Sequence, residues 1–128
     1  MIPISEDVEK VATKTVDAAY KVHSLIGSGL LESAYQACLI YELKKRGLSV
    51  ECQVSLPINY DDNIIGNAYR IDLLVENCLI VELKAVEEIT PDHISQVLTY
   101  LKFSNLRLGL IFNFNKKYFK DIVRRIVR

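Results

Sequence analysis

The sequence predicts one α/β domain over residues 1–128, a mixed β-sheet flanked by helices, with element order α-α-β-β-β-α-β-α. Three observations carry that expectation. Apolar residues recur every three or four positions up to about Arg46 and, after Gly47, every second position. A further helix-like segment lies between two strongly apolar strands. At 128 residues and 50% hydrophobic, the chain has the size and composition of a unit that buries one substantial core.

Ser5, followed by Glu6 and Asp7, is a polar N-cap with acids at the positive end of a helix dipole. Val8, Val11, Ala12, Thr15, Ala19, Val22 and Ile26 follow at helical spacing, so the first helix is expected to run to about Leu25. Gly27-Ser28-Gly29 breaks it. A second helix is expected from Leu30 to about Arg46, with Leu31, Ala34, Tyr35, Cys38, Leu39 and Leu43 on its apolar side and Gly47 as C-cap. Val50, Cys52, Val54 and Leu56 then alternate with Glu51, Gln53 and Ser55, the pattern of a half-buried strand. Asp61-Asp62-Asn63 is a turn. A second strand is expected from about Asn67 to Val75 and a third from about Leu79 to Val86, joined by a tight turn at Glu76-Asn77. The run LIVELKAV is apolar apart from Glu82 and Lys84, which suits a central strand covered on both faces. Pro91 and Asp92 open a third helix through about Phe103. LRLGLIFNF, residues 106–114, is a fourth strand, and Lys116 to Arg128 is expected to be helical.

Charged residues make up 25% of the chain, and no apolar run is long enough for a membrane span. The N-terminus, MIPISEDVEK, carries no signal-peptide pattern, so a cytoplasmic protein is expected. Cys38, Cys52 and Cys78 lack metal-binding spacing and fit buried free thiols in a reducing compartment. The net charge is zero but unevenly spread. From Leu101 onward eight basic residues oppose one acid, Asp121, so the tail carries +7 and the first hundred residues −7. Lys116, Lys117, Lys120, Arg124 and Arg125 are therefore candidates for contacting a nucleic-acid backbone; a solvated helix face with a basic end is the equal alternative.

Glu82 and Lys84 share one face of their strand, because side chains two apart point the same way. Burying either charge alone is costly, so the two must be paired or bind a ligand. Asp72, in the apolar run of the preceding strand, is equally out of place. A three-residue loop, Glu76 to Cys78, puts Asp72 directly opposite Glu82; a two-residue loop puts them on opposite faces unless a bulge intervenes. The odd loop or a bulge is expected. Two carboxylates about 5 Å apart repel by roughly 3 kcal/mol at an effective dielectric near 20. A divalent cation reverses that sign, and hard oxygen ligands suit Mg²⁺ or Mn²⁺. A lysine beside it could orient or deprotonate a water and stabilise charge on phosphate. The alternative is a Glu82–Lys84 ion pair at a sheet edge with Asp72 unrelated.

These residues resemble a known family. Asp72 followed ten positions later by Glu82-Leu83-Lys84 is similar to the D-x(n)-ExK signature of the PD-(D/E)xK nuclease superfamily. Gln96-Val97-Leu98-Thr99-Tyr100 resembles the QxxxY helix motif of its RecB-like branch. Gly29-Leu30-Leu31-Glu32-Ser33-Ala34-Tyr35 resembles the pattern for which the GxxExxY family is named, and DLLVENCLIVELKAV, HISQVLTYLK and the IFNF strand resemble its later features. The one departure is that Arg70-Ile71, and no proline, precedes Asp72.

The resemblance implies a restriction-endonuclease-like core and metal-dependent hydrolysis of phosphodiester bonds, in DNA before RNA. It implies catalytic roles for Asp72, Glu82, Lys84, Gln96 and Tyr100, and Mg²⁺ or Mn²⁺ held by Asp72 and Glu82, with Glu32 completing the metal shell. For Glu32 the alternative is simple favouring of the helix dipole; for Tyr100 it is core packing. Gln96, Tyr100 and His93 share one helix stripe. His23 and Asn113 are expected to be structural. No part of the chain is left over for reading a base sequence, so specificity would come from nucleic-acid shape, from ends, or from a second chain, whether a copy in a homodimer or a partner protein. A non-catalytic nucleic-acid-binding or protein-interaction module that keeps the fold is the other reading.

Overall fold

The computed structural model describes residues 2–128. Helix α1 (Glu6–Ile26) starts where the Ser5 hydroxyl accepts the Val8 amide at 3.4 Å, with Glu6, Asp7 and Glu9 in its first turn. It buries Ala12, Ala18, Ala19 and Val22, small residues that let it lie close to the sheet. Helix α2 (Glu32–Lys45) begins two residues later than predicted, because Gly29 has φ 98° and Leu31 is extended. Lys21 to Glu42 at 3.0 Å and Arg46 to Asp17 at 3.3 Å tie the two helices together.

Five strands follow: β1 (Val50–Tyr60), β2 (Asn63–Val75), β3 (Leu79–Lys84), β4 (Leu108–Asn113) and β5 (Val123–Val127). They lie side by side in sequence order. Helix α3 (Pro91–Ser104) carries the chain from β3 to its parallel neighbour β4; the other pairs are antiparallel. The predicted mixed sheet with flanking helices is thus the observed architecture. One apolar cluster, including Ala19, Tyr35, Leu39, Leu73, Val81 and Phe112, fills the α1–α2 side. A second, including Leu56, Ile71, Ile80, Val97, Leu101 and Ile111, fills the α3 side. α3 sits so close that a Cβ on Gly109 would lie 2.7 Å from Val97 Cγ1.

Three expectations need correction. Residues 116–128 do not form a helix: after a single 3₁₀ turn (Phe119–Asp121) they add β5 to the sheet. β4 is buried along its whole length, so a helix there would have left its outer edge without hydrogen-bond partners. Val123 and Ile126 fall on opposite faces of β5 and each enters a different core cluster. The β1–β2 hairpin is also longer than predicted, with Asp61 and Asp62 at positive φ (50° and 61°) between Tyr60 and Asn63, the backbone of a two-residue hairpin turn. Finally, the cysteines are free, but Cys52 is exposed and the other two are only partly buried.

Strand β1 changes face just after the exposed Cys52. Val50 packs on the α1–α2 side, whereas Val54 and Leu56 pack on the α3 side; Gln53, at φ 52°, lies between them. β2 does the same: Leu73 and Val75 face α1–α2, yet Ile71 faces α3. The residue at which β2 turns over is Asp72.

Candidate functional site

The expected three-residue loop is present. Val75 pairs with Leu79 and Leu73 with Val81, a register that sets Asp72 opposite Glu82. At that point the regular ladder gives way to side chains. Glu82 Oε2 accepts the Asp72 amide at 2.7 Å, and Asp72 Oδ2 accepts the Leu83 amide at 2.9 Å. Each carboxylate therefore bonds to the backbone of the other strand. Glu82 is 2% exposed, Asp72 and Lys84 are half-buried, and no ion pair joins Glu82 to Lys84 among the described residues. β3 is a central strand, so the sheet-edge alternative does not apply.

Burial, and then the charge of Asp72, push the Glu82 carboxyl up to about 8. Burial also raises Asp72, against the Leu83 amide, the Lys84 charge and the Gln53 side chain, which hold it down. Tyr100 is pushed up to about 12, first by burial and then by the charges of Glu82 and Asp72, which lie within electrostatic reach of its phenol. Its ring packs edge-on against Tyr69, 5.6 Å between centroids. Gln96 is half-buried one turn before Tyr100 on α3.

On the other side of the sheet an open pocket of about 620 Å³ is lined by Leu30, Leu31, Glu32, Gln53, Asp72 and Leu83 among others. Glu32 is exposed there, and its Oε1 accepts the Ala85 amide at 3.1 Å. The structure brings Asp72 and Glu82 together and puts Glu32 in the same pocket as Asp72. Among the described residues, however, no three His, Cys, Asp or Glu side chains form a group that could hold a metal ion.

The predicted basic residues divide. Asn113 pairs with Lys84 at the ends of the parallel strands, so the loop that follows it leaves the sheet at the same end as Lys84. In that loop Lys116 is held by Glu88 at 2.9 Å, while Lys117 is exposed and lies 5.5 Å from the Tyr118 ring centre. Lys120 and Arg124 are exposed, and Arg125 is engaged by both oxygens of Glu9 at 2.8 Å. His93 is not directed to the site: its Nδ1 accepts the Thr90 amide at 3.0 Å and closes a capping box at the start of α3. His23 Nε2 bonds the Lys116 carbonyl at 2.9 Å, a structural role as expected.

Two residues matter more than the sequence suggested. Asn113 is 1% exposed; its Oδ1 accepts the Val86 amide at 3.1 Å and its Nδ2 donates to the Val86 carbonyl at 2.8 Å. It thus continues the strand pairing past Lys84 with a side chain. Gln53 lies beside Asp72, and nothing in a strand-like stretch announces a glutamine at φ 52°.

A family model described as the PD-(D/E)XK nuclease superfamily matches residues 9–126. The chain belongs to the PD-(D/E)XK nuclease superfamily. Opposed acids on neighbouring strands, a lysine two residues beyond the second acid and an α/β core around a mixed sheet agree with that membership. No curated protein and no solved structure matches the chain.

Proposed function

We propose that this chain is a metal-dependent nuclease of the GxxExxY family, in the RecB-like branch, hydrolysing phosphodiester bonds in nucleic acid, DNA first, with Asp72, Glu82 and Lys84 as its working groups. The observation that carries this reading is the pair of interlocked carboxylates at the centre of the sheet, with a half-buried lysine next to them. Two acids set against each other, one of them pushed to about 8 by burial and by its neighbour, form a hard-oxygen donor set that a divalent cation would relieve. Nucleases of this superfamily generally use divalent metals.

Asp72 and Glu82 would hold the cation. When bound, it would supply Lewis-acid stabilisation of phosphoryl oxygen and a more acidic water. Lys84, on the same face of β3 as Glu82, would orient the attacking water through Nζ and stabilise charge growing on the phosphate. Glu32 already bonds the Ala85 amide through Oε1 and adds its negative charge across the pocket. Tyr100 keeps its proton well past neutral pH, so its hydroxyl can donate a hydrogen bond, and Gln96 lies one turn away. Lys117 and Lys120 would meet the phosphate backbone beside the site.

The test is hydrolysis of end-labelled single- and double-stranded DNA in Mn²⁺. Wild type should cleave, Asp72→Ala should not, and Lys84→Ala should lose about a hundredfold or more in kcat. Metal-independent DNA binding unaffected by Asp72→Ala would instead support a non-catalytic module. One observation favours that second reading: both carboxylates bond to backbone amides and so hold the β2–β3 hairpin in register without a ligand.

A further inference from the structure

Tyr35, the last residue of the Gly29–Tyr35 motif, is wholly buried, and its ring stacks on Phe114 at 4.4 Å with 8° between the planes. Its hydroxyl donates to the Gly27 carbonyl at 2.7 Å and accepts the Leu30 amide at 3.2 Å. The two ends of the α1–α2 loop are therefore tied to one atom. Gly27 and Gly29, both at positive φ, take backbone conformations that glycine adopts at little steric cost. The loop in turn sets the start of α2, where Glu32 Oε1 accepts the Ala85 amide at 3.1 Å. Phe114, the stacking partner, donates its own amide to the Lys84 carbonyl at 2.9 Å.

Both grips close on one peptide unit. The Lys84 carbonyl is held by Phe114 and the Ala85 N–H by Glu32, and Tyr35 touches the structures that carry each grip. β3 ends at Lys84, and these two bonds hold the peptide that follows its last residue. We infer that Tyr35 is a positioning residue: its hydroxyl fixes the Gly27–Leu30 loop, and through Glu32 it orients the Lys84–Ala85 peptide and hence Lys84. The inference rests on the reading of Lys84 as a working group, but the loop and the peptide grip can be measured without any turnover.

The experiment compares Tyr35→Phe, which keeps the stacked ring, with Glu32→Gln, which keeps an oxygen acceptor for the Ala85 amide. Amide hydrogen exchange is read at Leu30, Ala85 and Val81, the last a control in the middle of β3. In Tyr35→Phe, Leu30 and Ala85 should exchange about tenfold faster while Val81 is unchanged. In Mn²⁺ with labelled DNA, the same variant should lose about tenfold in kcat with KM nearly unaltered. Glu32→Gln should leave Ala85 protected. Unchanged Ala85 exchange in Tyr35→Phe overturns the inference. So does acceleration of Val81 together with Ala85, which would mark a loss of overall stability. If wild type cleaves nothing, the nuclease reading fails, and Ala85 exchange still decides the role of Tyr35.

Discussion

Replacing Glu82 by Gln in metal-free protein should change how stability depends on pH. Glu82 is 2% exposed, and burial with the Asp72 charge raises its carboxyl from 4.5 to about 8. A carboxyl that binds its proton more tightly when folded stabilises the protein below about pH 4.5 and loses that contribution as pH rises to about 8. At about 1.4 kcal/mol per pH decade, the full span carries roughly 5 kcal/mol of pH-dependent stability. Gln has the same shape, still offers an oxygen to the Asp72 amide, and does not titrate. Urea denaturation in EDTA at pH 5 and pH 9 is the assay. Wild type should lose several kcal/mol more than Glu82→Gln between those values, and the variant should be the more stable protein at pH 9. Parallel losses in the two proteins would mean that Glu82 is not forced to carry a proton, and the case for a relieving cation would lose its physical basis.

Three other outcomes are expected. Gly109→Ala should destabilise by about 1–3 kcal/mol in urea, because its Cβ would meet Val97 Cγ1 at 2.7 Å, and Val97→Ala should recover part of that loss. Asn113→Ala strips the Val86 amide and carbonyl of their partners; it should cost about 1–3 kcal/mol by thermal denaturation and lower kcat more than KM, since the segment beyond Lys84 is freed. For Lys117→Ala, DNA affinity measured by fluorescence anisotropy should show a log–log salt slope smaller by about one, with little dependence on DNA sequence.

The β2–β3 hairpin is more readable from sequence than its surroundings. Two carboxylates in otherwise apolar strands make sense together only if they share a face, which requires an odd hairpin loop, and the Glu76–Cys78 loop sets Asp72 opposite Glu82. The last strand is hidden by its spacing. Val123 and Ile126 are three apart, a helical spacing, and the charges between them look like a solvated helix face. In a strand the same spacing points to opposite faces, and here each face has its own core cluster. The turnover of both strands at Gln53 and Asp72 has no signature in residue type, because it depends on one glutamine adopting φ 52° within a paired ribbon. Tyr35 shares a helix with Glu32, but only the fold reveals that its hydroxyl reaches back to Gly27 and Leu30. His93 looked like a neighbour of Gln96 and Tyr100, yet the free amide of Thr90 claims its ring.

Titration calorimetry of Mn²⁺ into wild type, Asp72→Asn and Glu82→Gln at neutral pH tests the cation claim most directly. One ion bound per wild-type chain, with proton release from the crowded carboxylates and binding lost in both variants, is the predicted result. Undiminished Mn²⁺ binding in the two variants, or none in any of the three proteins, would contradict it.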